Sequence, residues 1–158
     1  MSRHLVTFAV EGLICSLPME QVQQVVAMPA ITPLPADDDR VLGVIDLHGS
    51  PCLVLNLRQL LGLAEAPIEP DQHLLIVRAG GRICAVGVDQ VLDVAAADVL
   101  PVPDDRPGEG LIQGLSPIGG LLNLVLDTEH LLDAIPLAPG RARVLGAAVA
   151  PLSEDRPA

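Results

Sequence analysis

The chain is written twice, and that confines its fold to what a unit of about 70 residues can build and then build again. Residues 4–25, HLVTFAVEGLICSLPMEQVQQV, align with residues 73–94, HLLIVRAGGRICAVGVDQVLDV, at a constant offset of 69. His4/His73, Gly12/Gly81, Ile14/Ile83, Cys15/Cys84, Gln21/Gln90, Val22/Val91 and Val25/Val94 are identical pairs. Further on, GVIDLHGSPCLVLNLRQLL (43–61) aligns with GLSPIGGLLNLVLDTEHLL (114–132) at an offset of 71, pairing Gly43 with Gly114 and Gly49 with Gly120. Leucines and valines match easily in a chain that is half hydrophobic, so the glycine pairs and the shared Q-V-x-x-V run carry the alignment.

Both units read alike. A strand (LVTFAV; LLIVRA) enters a tight turn at Glu11-Gly12 or Gly80-Gly81, and a second strand returns to form a hairpin. A short connector carrying Val22, Val25 and Val26 follows and stops before Pro29, and a proline-rich loop comes next. Two further strands then flank a glycine turn, at His48-Gly49 and Gly119-Gly120. Each unit ends in a helical turn capped by Asn56 or Asp127, both good N-cap residues. About five short strands per unit, with period-2 patterning and no long helix, predict a mainly β protein of two tandem five-stranded barrels, spanning about 4–66 and 73–135. Residues 136–158 are rich in Ala and Pro and read as an extension whose last residues are disordered.

Composition narrows the function. The formal net charge is −11. The chain has no Lys, so phosphate backbones and anionic membrane surfaces are poor partners. Phe8 is the sole aromatic residue, and the core is therefore aliphatic. Three cysteines without a CxxC fit a reduced, cytoplasmic protein with buried thiols. The apolar run after His4 ends at Glu11, too soon for a signal peptide, and no apolar run reaches the ~18–20 residues of a membrane span.

The chemically suggestive residues of GVIDLHGSPCLVLNLRQLLGL fall apart under the same scrutiny. Zinc ligands come in close sequence pairs on tight turns, and His4, Cys15, His73 and Cys84 do not, so no metal and no cofactor is expected. Cys52 lies in the apolar run PCLVL without a nucleophile elbow, and Asp127-Thr128 lacks the glycine of the aspartic protease pattern. No phosphate-binding glycine motif is present. Asp37, Asp38 and Asp39 read as a solvated loop. What is left is a protein whose product is a surface. The alternatives are a small metabolite-binding barrel and a hydrolase using Cys52 with His48.

At this point the residues resemble a known family. GVIDLHGSPCLVLNLRQLLGL is similar to the segment of CheW-like domains that runs roughly G-V-x-N-L-R-G-x-x-x-P-V-x-D-L-R-x-x-L-G. VGVDQVLDV resembles their V-D-x-V-x-D-V, and LPMEQVQQVVAMPAITPLP their V-x-x-V-x-E-V followed by I-T-x-x-P. The resemblance covers residues 4 to about 135. It implies two five-stranded SH3-like barrels and a non-catalytic adaptor. Such an adaptor couples the cytoplasmic tip of methyl-accepting chemoreceptors to the CheW-like regulatory domain of a CheA-type histidine kinase.

Carried over by position, the resemblance implies receptor contacts at Val44, Asp46, His48 and Gly49, in a groove between the barrels. It implies kinase contacts at Val22, Gln24, Asp89, Val91 and Asp93. Three positions depart from the pattern: His48 stands for the family Arg, Gln24 for a common Glu, and Asn56 for a frequent Asp. An imidazole cannot form the bidentate fork of a guanidinium. The His48 departure points either to a receptor co-adapted to the imidazole or to a divergent paralogue serving an accessory chemosensory pathway, and the second reading is preferred.

Overall fold

The structure, a computed structural model, describes residues 2–34, 39–102 and 110–133. The extension 136–158 and Asp37-Asp38 of the acidic loop lie outside the described residues.

Ten strands form. The first half supplies β1 (Ser2–Val10), β2 (Leu13–Pro18), β3 (Val22–Ala27), β4 (Val41–Leu47) and β5 (Ser50–Leu55). The second half supplies their counterparts β6 (His73–Ala79), β7 (Arg82–Val88), β8 (Gln90–Asp98), β9 (Ile112–Ile118) and β10 (Leu121–Leu126). The Val22–Val26 connector is thus itself a strand, β3. Two helical turns follow β5 and β10: α1 (Leu57–Leu60) and α2 (Thr128–Asp133). Both predicted caps are formed. Asn56 Oδ1 accepts from the Gln59 amide at 3.3 Å, and Asp127 Oδ1 from the Glu129 amide at 3.0 Å.

The four hairpins share one turn. Both central residues take positive φ: Glu11-Gly12 (52°, 80°), His48-Gly49 (53°, 88°), Gly80-Gly81 (59°, 81°) and Gly119-Gly120 (60°, 81°). Two positive φ values are what a two-residue type I′ turn requires. Glycine always fills the second place.

The sheets do not follow the repeats. One has the order β8-β1-β2-β10-β9 and the other β3-β6-β7-β5-β4. The expected division at 4–66 and 73–135 is therefore corrected: each sheet takes its leading hairpin from one repeat and its remaining three strands from the other. The second barrel is contiguous, β3 to β7, and sits as an insert within the first, which is made of β1, β2 and β8–β10. The repeats exchange strands because β2 pairs in parallel with β10 (Val125↔Ser16), and β7 likewise with β5 (Val54↔Ala85).

Each sheet closes on itself through one backbone bridge. The Thr32 and Val44 amides and carbonyls pair both ways at 2.9 Å, and Leu100 pairs with Leu115 at 2.7 and 2.8 Å. The bridging chain passes so near that a Cβ on Gly43 would lie 2.3 Å from the Thr32 carbonyl oxygen. One on Gly114 would lie 2.6 Å from that of Leu100. The strongest glycine match between the repeats thus marks the places where the barrels shut.

The core has two apolar parts. The larger fills the seam between the sheets, where Phe8, Leu17 and Val6 meet Leu75, Val77 and Val86, with Leu57 and Leu131 of the helices at its ends. The smaller lies inside the second barrel and comprises Ile45, Cys52, Val54, Leu74, Ile76 and Ala85. The matching interior positions of the first barrel are polar. Thr7, Ser16, Asn123 and Ser116 replace Ile76, Ala85, Cys52 and Ile45, each at most 4 % exposed. Three of the four are hydrogen-bonded: Thr7 Oγ1 donates to the Asp93 carbonyl at 3.1 Å, Ser116 Oγ to that of Asp98 at 2.7 Å, and Asn123 Nδ2 to that of Ser116 at 3.1 Å. Ser16 Oγ and Asn123 Oδ1 have no hydrogen-bond partner.

Candidate functional site

The β4–β5 hairpin that carried the resemblance stands at the edge of the second barrel. Its turn is pinned from within, because Asp46 Oδ1 accepts from the Gly49 amide at 2.9 Å. His48 takes the left-handed position that Gly119 occupies in the other repeat, and His is among the residue types that tolerate it. Its exposed ring turns to β3, where Nε2–H donates to Gln24 Oε1 at 3.2 Å.

Beside this turn lies a depression of about 160 Å³. Val44, Asp46 and Gly49 line it together with Ile45, Thr32 and Pro51. Three of the four predicted receptor-contact residues therefore share one surface feature, with His48 on the turn beside it. The feature is not the groove expected between the barrels. That seam is filled by the large apolar cluster, and the depression opens instead beside the closing bridge of the second barrel. Val44, Ile45 and Pro51 make much of it apolar, Asp46 is engaged with the Gly49 amide, and the Thr32 and Val44 backbones pair with each other, so it suits docking better than bond making.

The five predicted kinase-contact residues do not form one patch. Val22 and Val91 are half-buried and pack against the seam core. Gln24 joins His48. The Asp93 carboxylate is exposed on β8 and accepts from the Val94 amide at 2.7 Å, while its backbone is tied to Thr7. Asp89 lies between the barrels. It accepts from both Arg58 and the Glu11 amide.

The reactive-thiol reading fails on placement. Cys52 points into the second barrel among Ile45 and Val54, and burial pushes its thiol up to about 11. A nucleophile needs the opposite shift, toward thiolate at neutral pH. His48 is outside the barrel and engaged with Gln24.

Sequence reasoning missed two features. Arg58 reads as one more polar residue of the hairpin segment, yet it is only 14 % exposed in its side chain and pairs with Glu11 and Asp89. The hydrogen bonds it donates to Glu11 and then to Asp89 outweigh burial and hold its guanidinium firmly charged. Leu121 and Leu122 follow the apolar turn of the first barrel at 62 % and 60 % exposure. The repeat alignment holds their signal, since they stand opposite the polar-side pair Ser50 and Pro51.

Comparison with known proteins now decides the family. The model of the CheW-like domain matches residues 4–135. The chain belongs to the CheW-like domain family. Among solved CheW-like structures, the scaffolding protein TtCheW from Thermoanaerobacter tengcongensis superposes with a TM-score of 0.77, covering 85 % of this chain and 95 % of that one at 22 % identity. That similarity establishes the fold, two SH3-like β units. Protein FrzA of Myxococcus xanthus is 33 % identical over 99 residues, which is 61 % of this chain and 62 % of FrzA. The match therefore spans less than two thirds of FrzA. Chemotaxis protein CheW of Helicobacter pylori is 25 % identical over 121 residues, 74 % of this chain and 73 % of the relative.

Proposed function

We propose that this CheW-like chain is a non-catalytic chemosensory adaptor. It couples the cytoplasmic tip of a methyl-accepting chemoreceptor to the CheW-like regulatory domain of a CheA-type histidine kinase. The observation that carries the reading is the gathering of Val44, Asp46 and Gly49 around one apolar depression, in a chain whose family is that of a scaffold. The receptor helix docks at this depression through apolar contacts, as helices do in shallow grooves. The kinase domain meets apolar barrel edges, of which Leu121 and Leu122 are the most exposed. The cell compartment is the cytoplasm. Consistent with this, no helix among the described residues is long and apolar enough to cross a membrane.

Gln24 belongs with His48 on the receptor side. The two departures from the family pattern touch each other, so they act as one change: a carboxylate and a guanidinium have given way to an amide and an imidazole. This supports an accessory-pathway paralogue with its own receptor. Pull-down of the kinase regulatory domain and of the receptor tip by the purified chain tests the adaptor reading. Capture of both is expected, and capture of neither overturns it. His48→Arg, Gln24→Glu and the double variant then test the pair. Contacting residues couple by about 0.5–3 kcal/mol, so the double variant is expected to depart from the sum of the singles in receptor affinity. Additive effects would show that the two positions act separately.

A further inference from the structure

The chain crosses between the barrels twice, and the two crossings are built differently. From β2 to β3 it passes through the turn Met19–Gln21, beside which Arg3 and Glu20 form an ion pair of 3.2 Å between well-exposed side chains. From β7 to β8 it passes through a single residue, Asp89. There the carboxylate collects four hydrogen bonds from three directions. Arg58 donates to both oxygens at 3.0 Å, the Glu11 amide to Oδ2 at 2.9 Å, and Gln72 Nε2 to Oδ1 at 3.1 Å. The Asp89 amide in turn donates to the Ala9 carbonyl at 2.9 Å. Arg58 closes the circuit by also donating to the Glu11 carboxylate. Glu11 is the tip of the β1–β2 hairpin in the first barrel, whereas Arg58 on α1 and Gln72 before β6 belong to the second.

We propose that the Asp89–Arg58–Glu11 knot is a positioning device that sets the angle between the barrels, and through it the coupling between a partner on one barrel and a partner on the other. The inference rests on the adaptor reading. Every donor that reaches Asp89 is used within the chain, so the carboxylate acts on partners through geometry. Arg58 Nη2 straddles both Asp89 oxygens while Nη1 reaches the Glu11 carboxylate, and a planar guanidinium whose two terminal nitrogens are committed to two different carboxylates resists rotation. The apolar seam alone is non-directional. The knot lies at the hairpin tip, far along β1 and β2 from the exposed Arg3–Glu20 crossing, so the molecule is tied at one end and looser at the other.

Asp89→Asn and Arg58→Gln test this, with Glu20→Gln as the control at the other crossing. Kinase regulatory domain and receptor tip are each titrated alone against the chain, and then kinase activation is measured with both present. The expected result for Arg58→Gln, at a position assigned to neither partner, is single-partner affinity within about twofold of the parent but coupled activation reduced by about tenfold, the scale of an ordinary coupling between sites. Glu20→Gln should match the parent. Unchanged activation in both knot variants overturns the proposal. So does a loss of single-partner affinity as large as the loss of activation, which would make Asp89 a contact. A second measurement is independent of any partner. Residual dipolar couplings of the full chain should fit one alignment tensor for both barrels in the parent and two distinct tensors in Asp89→Asn. One shared tensor in that variant also overturns the proposal. Failure of the parent to bind either partner would instead overturn the adaptor reading and leave the tensor test standing.

Discussion

At the residue scale, the most constrained positions are the ones that let another strand approach. Gly43 is the sharpest case, because an added methyl would sit 2.3 Å from the Thr32 carbonyl oxygen and 2.8 Å from Ile31 Cγ2. Backbone cannot yield as a side chain tip can. Gly43→Ala is therefore expected to cost about 2–3 kcal/mol by forced repacking, read as a lower denaturation midpoint with an unchanged slope. A midpoint within error of the parent would show that the closing bridge dispenses with close approach. The glycine itself is visible in the repeat alignment, and so are the four turns, because a turn is specified by the two or three residues that make it. Asp89 is the contrary case. Its motif is legible, but its partners Glu11, Arg58 and Gln72 are scattered along the chain, and no local pattern assembles them.

At the scale of elements, the two copies of the repeat differ most where they are buried. Strands β1, β2, β10 and β9 bring Thr7, Ser16, Asn123 and Ser116 into the first barrel, against Ile76, Ala85, Cys52 and Ile45 in the second. The difference stands in the sequence as mismatched pairs, and period-2 patterning still finds the strands because the seam-facing side of each is apolar. What patterning does not show is which side faces a barrel interior. Ser16 Oγ is fully buried without a partner, so it carries a desolvation cost that nothing repays. Ser16→Ala is expected to leave stability unchanged or to raise it by up to about 1 kcal/mol. In the second barrel, Ile76→Thr is expected to cost about 2–4 kcal/mol, because it removes packed methylene and buries a hydroxyl. Chemical denaturation of both variants checks the pair. A destabilised Ser16→Ala would reveal a working hydrogen bond at that hydroxyl.

For the whole molecule, the duplication, the strand count and the capped helical turns were all legible, and the family pattern singled out the β4–β5 hairpin but not the depression beside it. The exchange of strands between repeats was not legible. A parallel pairing of β2 with β10 joins segments about a hundred residues apart, and hydrophobic period records the faces of a strand but not its neighbour. Composition makes one global property unusually clean. The chain has neither Lys nor Tyr, so between pH 9 and 12 its side-chain titration is that of Cys15, Cys52 and Cys84. Burial pushes these thiols from an ordinary 9.0 to about 12, 11 and 12. The unfolded chain thus loses thiol protons before the folded one does. The stability the thiols contribute is complete below pH 9 and is lost as pH rises toward 11 to 12. Denaturation midpoints from pH 8 to 11 should be flat and then fall, and Cys84→Ala should shallow the fall. A midpoint that rises with pH in this range would contradict the burial of the thiols.

The insertion of one barrel within the other also sets an order of events at the ribosome. Strands β3 to β7 form an uninterrupted stretch, so the second barrel can close as soon as Val88 has left the exit tunnel. The β1–β2 hairpin is made first but must wait for β8, β9 and β10 before its own sheet exists. The seam face of the second barrel is the surface against which Phe8 and Leu17 of that hairpin pack in the finished fold. The nested barrel is thus the half whose strands are complete first. Cutting the gene between the repeats would leave neither barrel with all its strands.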